Sequence, residues 1–208
     1  MTAATLSHGG HGVPTGSSTD GPAPKRIVVA YGFWIFLLSD IIMFSAIFAT
    51  YAVLANATNG GPTGRELFDY TNVAIETGCL LASSFTCGLM SLAVHEESRL
   101  GTYLGAAATF VLGAIFLALE LHEFAGMIAM GATPQRSAFL SAFFTLVGCH
   151  GAHVAIGLLW LVVMMAQVWA KGFRQTILRR IACFSLFWHA LDIIWVALFT
   201  IVYLMGGR

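Results

Sequence analysis

The sequence predicts an all-α integral membrane protein that crosses the bilayer five times. The first observation behind this is charge. Of 208 residues, 10% are charged and 58% hydrophobic, whereas soluble domains carry roughly 25% charged residues. So few charges cannot clothe a water-facing surface, and the mean hydropathy of +0.81 says the same. The second is segment length: five apolar stretches, near 28–54, 72–94, 101–123, 139–168 and 183–205, each reach the about 20 helical residues that span a hydrocarbon core. The third is the placement of basic residues. Lys25, Arg26, Arg99, Lys171, Arg174, Arg179 and Arg180 fall on one side of a five-span path, and only Arg65, Arg136 and Arg208 on the other. Basic residues gather on the cytoplasmic face, which predicts a cytoplasmic amino terminus and a periplasmic carboxyl terminus.

Taken in order, residues 1–26 come first and are rich in Gly, Ser, Thr and Pro. They hold too little apolar surface to offset the entropy of ordering, and a disordered tail is expected. The tail also lacks the basic start and short apolar core of a signal peptide. Its His8 and His11 read as solvated side chains. Residues 27–208 form the predicted bundle, punctuated by "NATNGGPTGRE" after the first span, "HEESR" after the second, "GATPQRS" before the fourth and "KGFRQTILRR" before the fifth. Gly101/Gly105, Gly148/Ala152 and Gly151/Ala155 are small residues four apart, a spacing that lets helix backbones approach closely in lipid. Cys79, Cys87, Cys149 and Cys183 all lie in apolar segments without a C-x-x-C pair, and read as buried thiols. A formal net charge of zero gives no pointer to nucleic acid.

Polar groups inside hydrocarbon are expensive and usually face the bundle interior. Asp40, Glu76, Glu120, His122, Glu123, His150, His153, His189 and Asp192 fall within or at the edge of spans. Glu120/Glu123 and His150/His153 are each three apart, a spacing that suits a bundle metal centre. Depth speaks against a shared centre. At 1.5 Å per residue, Glu120 is expected about 28 Å along the third span, near its outer end, and His150 about 16 Å in from the outer end of the fourth. A bis-histidine haem between His153 and His189 is crowded by Phe187, Trp188 and Trp195. The depths instead predict that His153 pairs with His189 and Asp192, holding the fourth and fifth spans in register. Glu76 and Glu120 are expected at a common depth, bracketing a lipid headgroup or each other through a shared proton. Asp40 reads as a hydrogen-bond donor in its protonated form, or as a relay member. The expectation for all of these is structural, with no catalytic, cofactor or metal ligand among them.

The stretches "GFWIFLLSD" at 32–40, "LELHEF" at 119–124, "AFFTLVGCHGAHVAIGLLWL" at 142–161 and "FWHALDIIWVALFTIVYLMG" at 187–206 together resemble subunit III of the haem–copper oxidases. An H-G-x-H-V run followed by W-H-x-x-D-x-x-W in the last span is specific in combination. The five-span length, the polar tail and "ATYAVLANATNGGPTG" at 49–64 resemble most closely the branch found in bacterial cytochrome bo ubiquinol oxidases. The mitochondrial type has two further spans.

That resemblance implies a non-catalytic subunit without haem or copper of its own. The redox centres would belong to catalytic subunit I, with subunits II and IV in the same complex and phospholipids bound to this chain. The complex would oxidise ubiquinol, reduce oxygen to water and translocate protons across a bacterial inner membrane. A cytochrome c oxidase is the alternative within the family, and a stand-alone transporter or metal-binding membrane enzyme the alternative outside it.

Overall fold

A chain in hydrocarbon has no water to satisfy its N–H and C=O groups, so each apolar stretch closes its own backbone bonds as a helix. The computed structural model describes residues 25–60 and 70–205. Among the described residues the helices are α1 (Lys25–Leu54), α2 (Tyr70–His95), α3 (Arg99–Ala129), α4 (Ala138–Lys171) and α5 (Gln175–Leu198), with no strand. All five are long and apolar enough to cross a membrane. Residues 1–24, with His8 and His11, and the basic residues Arg65 and Arg208 lie outside the described residues. Lys25 and Arg26, expected in the tail, belong to α1.

Two other boundaries differ from expectation. The third span was expected to stop at 123, but α3 runs on to Ala129. The fifth was expected from 183, yet α5 begins at Gln175, taking the basic "TILRR" stretch into its first turns. Polar residues at a helix end do not break it. What ends α3 is Gly131, which takes a φ of 77° that a side chain would strain. There the Ala132 N–H donates to the Met127 carbonyl and the Gly131 N–H to that of Ile128, the bond pattern of a glycine-terminated helix. Two serines start helices: the Ser98 hydroxyl accepts from Gly101 N at the head of α3, and the Ser137 hydroxyl from Leu140 N at the head of α4. Beyond Leu198 the last helix continues in wider, π-type turns over Phe199–Met205.

The helices pack as an α2–α3 antiparallel pair, with α4 against α3 and α5 against both α2 and α4. Helix α1 lies outermost, on α4 and the edge of α5. The expected Gly101/Gly105 step does bring α2 and α3 together. A methyl on Gly101 would stand 2.9 Å from Ala93 Cβ, and one on Gly105 2.9 Å from Met90 Cα. Gly148 and Ala152 do not mark such a contact: Ala152 is exposed, and a methyl on Gly148 would meet only Phe124 at 3.7 Å. A slot absent from the expected pairs forms between α3 and α4, where Gly113 and Gly157 leave room for the Trp188 indole at 3.0 and 2.9 Å from their missing methyls.

Candidate functional site

The polar side chains inside the bundle sort into three groups, each made by different helices. The largest lies at the end of the bundle where α1 finishes, α2 begins, α3 finishes, α4 begins and the π-type turns of the last helix sit. Glu76 of α2 and Glu120 of α3 are buried there, Glu123 is half-buried one turn beyond Glu120, and the three lie within electrostatic range of one another. Tyr203 faces all three, and Tyr51 of α1 faces Tyr203. The wider turns after Leu198 carry Tyr203 into this space, fully buried, in ring contact with Phe143 and Trp195. Glu120 presses against the backbone of α4: a methyl on Gly151 would come within 2.6 Å of its Oε1. Glycine is what lets the carboxyl in.

This overturns the expected separation in depth between Glu120 and His150. Ending the third span at 123 placed Glu120 at the membrane edge. With α3 continuing to Ala129, Glu120 sits nine residues inside the helix end, about 14 Å by the helical rise. It therefore reaches the level of Gly151, next to His150. His150 itself is fully buried among Phe116, Trp195 and Phe44, with ring centroids at 5.8, 5.2 and 6.4 Å. Neither of its ring nitrogens meets a hydrogen-bond partner. Glu76 and Glu120, expected at a common depth, lie within electrostatic range of each other.

The second group joins α2 to α5. The Trp195 indole N–H donates to Thr77 Oγ1 at 3.0 Å, and that of Trp188 to Ser83 Oγ at 3.1 Å. At the adjacent positions, Ser84 Oγ lies 2.7 Å from His189 Nδ1 and also bonds the Asp192 carboxyl. Cys87 and Ser185 continue the line at 3.9 Å. Behind it, Thr86 and Thr109 tie α2 to α3 through a 2.8 Å hydroxyl pair. His189 and Asp192 thus face α2, contrary to the predicted pairing with His153. On α5 they occupy a different side from Phe187, the residue that meets His153. Sequence reading weighed ionisable groups and passed over Thr77, Ser83, Ser84, Thr86 and Thr109. The available signal was spacing: Thr77 and Ser84 are seven apart, as are Trp188 and Trp195, which puts each pair on one helix face.

The third group is smaller and lies between α1 and α4. His153 Nδ1 is 2.7 Å from the carbonyl of Cys149 one turn back, so its polar edge is spent on its own helix. Its ring packs on Phe44 of α1 at 5.3 Å. Asp40, half-buried on α1, faces Cys149. His122 is exposed on the outer face of α3. Among the described residues no three His, Cys, Asp or Glu side chains converge in a way that could hold a metal ion.

Comparison with known proteins agrees with this architecture. The family model described as cytochrome c oxidase subunit III matches residues 18–207. The cytochrome bo(3) ubiquinol oxidase subunit 3 of Pseudomonas aeruginosa is 50% identical over 177 residues, 85% of each chain. The quinol oxidase subunit 3 of Bacillus subtilis is 45% identical, covering 84% of this chain and 86% of its own length. A protein of Bacillus sp. (strain PS3) named cytochrome c oxidase subunit 3 is 41% identical over 84% of each chain.

Proposed function

Because the chain belongs to the cytochrome c oxidase subunit III family, we propose that it serves as the non-catalytic third subunit of a terminal quinol oxidase. The observation that carries the choice of donor is identity. Relatives named for ubiquinol or quinol oxidases run from 40% to 50%, and the two at 48% and 50% are both named for ubiquinol oxidases, against 41% for one named for cytochrome c. In this reading haem and copper reside in catalytic subunit I, beside which this chain packs together with subunits II and IV, and the complex couples ubiquinol oxidation to oxygen reduction and proton translocation.

The interior supports a scaffold. His189 and Asp192 bond Ser84 across helices, His153 bonds the Cys149 carbonyl of its own helix, and His150 is enclosed by aromatic rings. The outer faces support an assembly role: Trp34, Ile42, Val53 and Trp169 stand well exposed along α1 and α4, surface that lipid tails or partner helices would cover. In this reading the basic end, with Arg99, Lys171 and Arg174, faces the cytoplasm from a bacterial inner membrane, as the gathering of basic residues on that side supports.

Affinity purification through this chain from native membranes tests the reading. The expected result is co-purification of a larger chain carrying all the haem and copper, with ubiquinol rather than cytochrome c as the faster donor. After dissociation this chain should be free of metal and of visible absorption. Stoichiometric haem, copper or iron on the separated chain would overturn it.

A further inference from the structure

Glu76 and Glu120 are 0% and 2% exposed, and none of their four carboxyl oxygens meets a hydrogen-bond partner within the protein. An isolated carboxylate ion in hydrocarbon is strongly disfavoured, and Glu123 beside them adds like-charge repulsion. A metal ion, a fixed counter-charge, or protons with water would each relieve this. Among the described residues no three His, Cys, Asp or Glu side chains, these glutamates included, converge in a way that could hold a metal ion. The groups within electrostatic range of the pair are Glu123 from α3 and Tyr203 from the π-type turns; Tyr51 of α1 faces Tyr203, and His150 of α4 is the chain neighbour of Gly151, which Glu120 presses against. Of these His150 alone could carry positive charge. Its ring is enclosed by Phe116 and Trp195, and neither nitrogen bonds a carboxylate.

Protons and water remain. A second observation points the same way. Tyr51 is 2% exposed, and its hydroxyl also lacks a partner while facing Tyr203. Buried donors and acceptors gathered in one space are the setting in which internal water is held, through about three hydrogen bonds each.

We propose that Glu76, Glu120 and Glu123, with Tyr51 and Tyr203, form an internal proton-holding site, in which carboxyl groups share protons with one another and with buried water. Gly151 is part of the site, since any side chain there would drive Glu120 out of it. The site holds whichever electron donor the complex uses.

Infrared spectroscopy of the purified complex in lipid tests this, comparing the native protein with Glu76→Gln and Glu120→Gln. Gln keeps the volume and a hydrogen-bonding end, so both variants are expected to assemble. At neutral pH the native complex should show a protonated-carboxyl carbonyl band that shifts in deuterium oxide. Each variant should lose one carboxyl's share of it per chain. Loss of ionised-carboxylate absorption instead, with the protonated band untouched, would overturn the proposal. Should either variant fail to assemble, carbon-13 NMR of glutamate-labelled native complex reads the same property directly. Carboxyl shifts all in the ionised range would overturn the site, and two or more in the protonated range would support it.

Discussion

Helix α5 meets α2 through a line of hydrogen bonds, Thr77–Trp195, Ser83–Trp188 and Ser84–His189, whereas α1 meets α4 through rings and aliphatic chains. The buried residues of α1 are Leu37, Phe44 and Tyr51, seven apart and on a single stripe. Only 11% of the most apolar stretch of α1 is buried, against 44% of that of α4. In water both seams would be held by the hydrophobic effect. In lipid that drive vanishes between helices, leaving close packing and interhelical hydrogen bonds. The seam with glycine slots and paired hydroxyls is therefore the fixed centre of the molecule. Apart from Tyr51 at its end, helix α1 is attached to it by contact area, and most of its surface is left for lipid or another chain.

The largest test of this contrast is Trp188→Ala against Phe44→Ala. Both rings are buried, but Trp188 fills a slot between Gly113 and Gly157 and donates to Ser83. Its loss should cost about 3–5 kcal/mol, seen as loss of the chain from the assembled complex. Phe44 borders a groove of about 270 Å³ between α1 and α5 that lipid chains can enter, so its truncation should cost at most about half as much on the same scale. Equal losses would erase the distinction between the seams.

Next in size is Gly157→Val. A methyl alone would meet the Trp188 ring at 2.9 Å, and overpacking of this kind costs about 1–3 kcal/mol. Combining it with Trp188→Leu should recover part of the loss, because the side chain in the way has gone. Thermal unfolding of the complex in detergent reads both. If the double variant is as unstable as the two losses added together, the glycine is not there to seat the indole.

Ser84→Ala comes third. Interhelical hydrogen bonds in membranes average about 0.6 kcal/mol and reach about 1.7. One hydroxyl here serves both His189 and Asp192, so the upper part of that range is expected. The readout is the denaturant needed to separate the chain from its complex. Ser84→Cys should fall between the native protein and Ala, because sulfur bonds both partners weakly. A loss no larger than that of an exposed serine such as Ser39 would mean that the hydrogen-bonded line does not hold α2 to α5.

Five spans were legible because their lengths and flanks follow from the thickness of a bilayer, and all five are present. Where those spans ended was legible less well, and the errors travelled inward. Ending the third span at 123 detached Glu120 from Gly151, although the residues themselves had been singled out. The terminator, Gly131, lies inside the quoted "GATPQRS", but nothing in the sequence says that the chain stays helical through "AGMIAM" until it gets there. The α2–α5 line was missed for another reason. Serine and threonine are ordinary in a soluble helix, and their weight comes only from having no water to bond. Tyr203 was not readable at all, since π-type turns, which no local pattern announced, decide which way it faces.

The smallest expected effect belongs to His153, and it separates the two seams most sharply. Depth alone made it a clasp between α4 and α5, in which case its loss would match that of Ser84. In the structure its Nδ1 lies against the Cys149 carbonyl of its own helix, an oxygen that already accepts the helix's backbone N–H. Removing the imidazole leaves no orphaned polar group behind. What His153 gives its neighbours is ring area, toward Phe44 at 5.3 Å and Phe187 at 6.5 Å. His153→Phe keeps that area, and should change stability by no more than about 0.5 kcal/mol, the range of substitutions that break nothing. His153→Ala forfeits the ring contacts and should loosen α1 first, read as faster protease cleavage between α1 and α2 with α2–α5 still resistant. A His153→Phe variant as unstable as Ser84→Ala would mean that the imidazole bonds across helices after all, and that the α1 side is held by more than contact area.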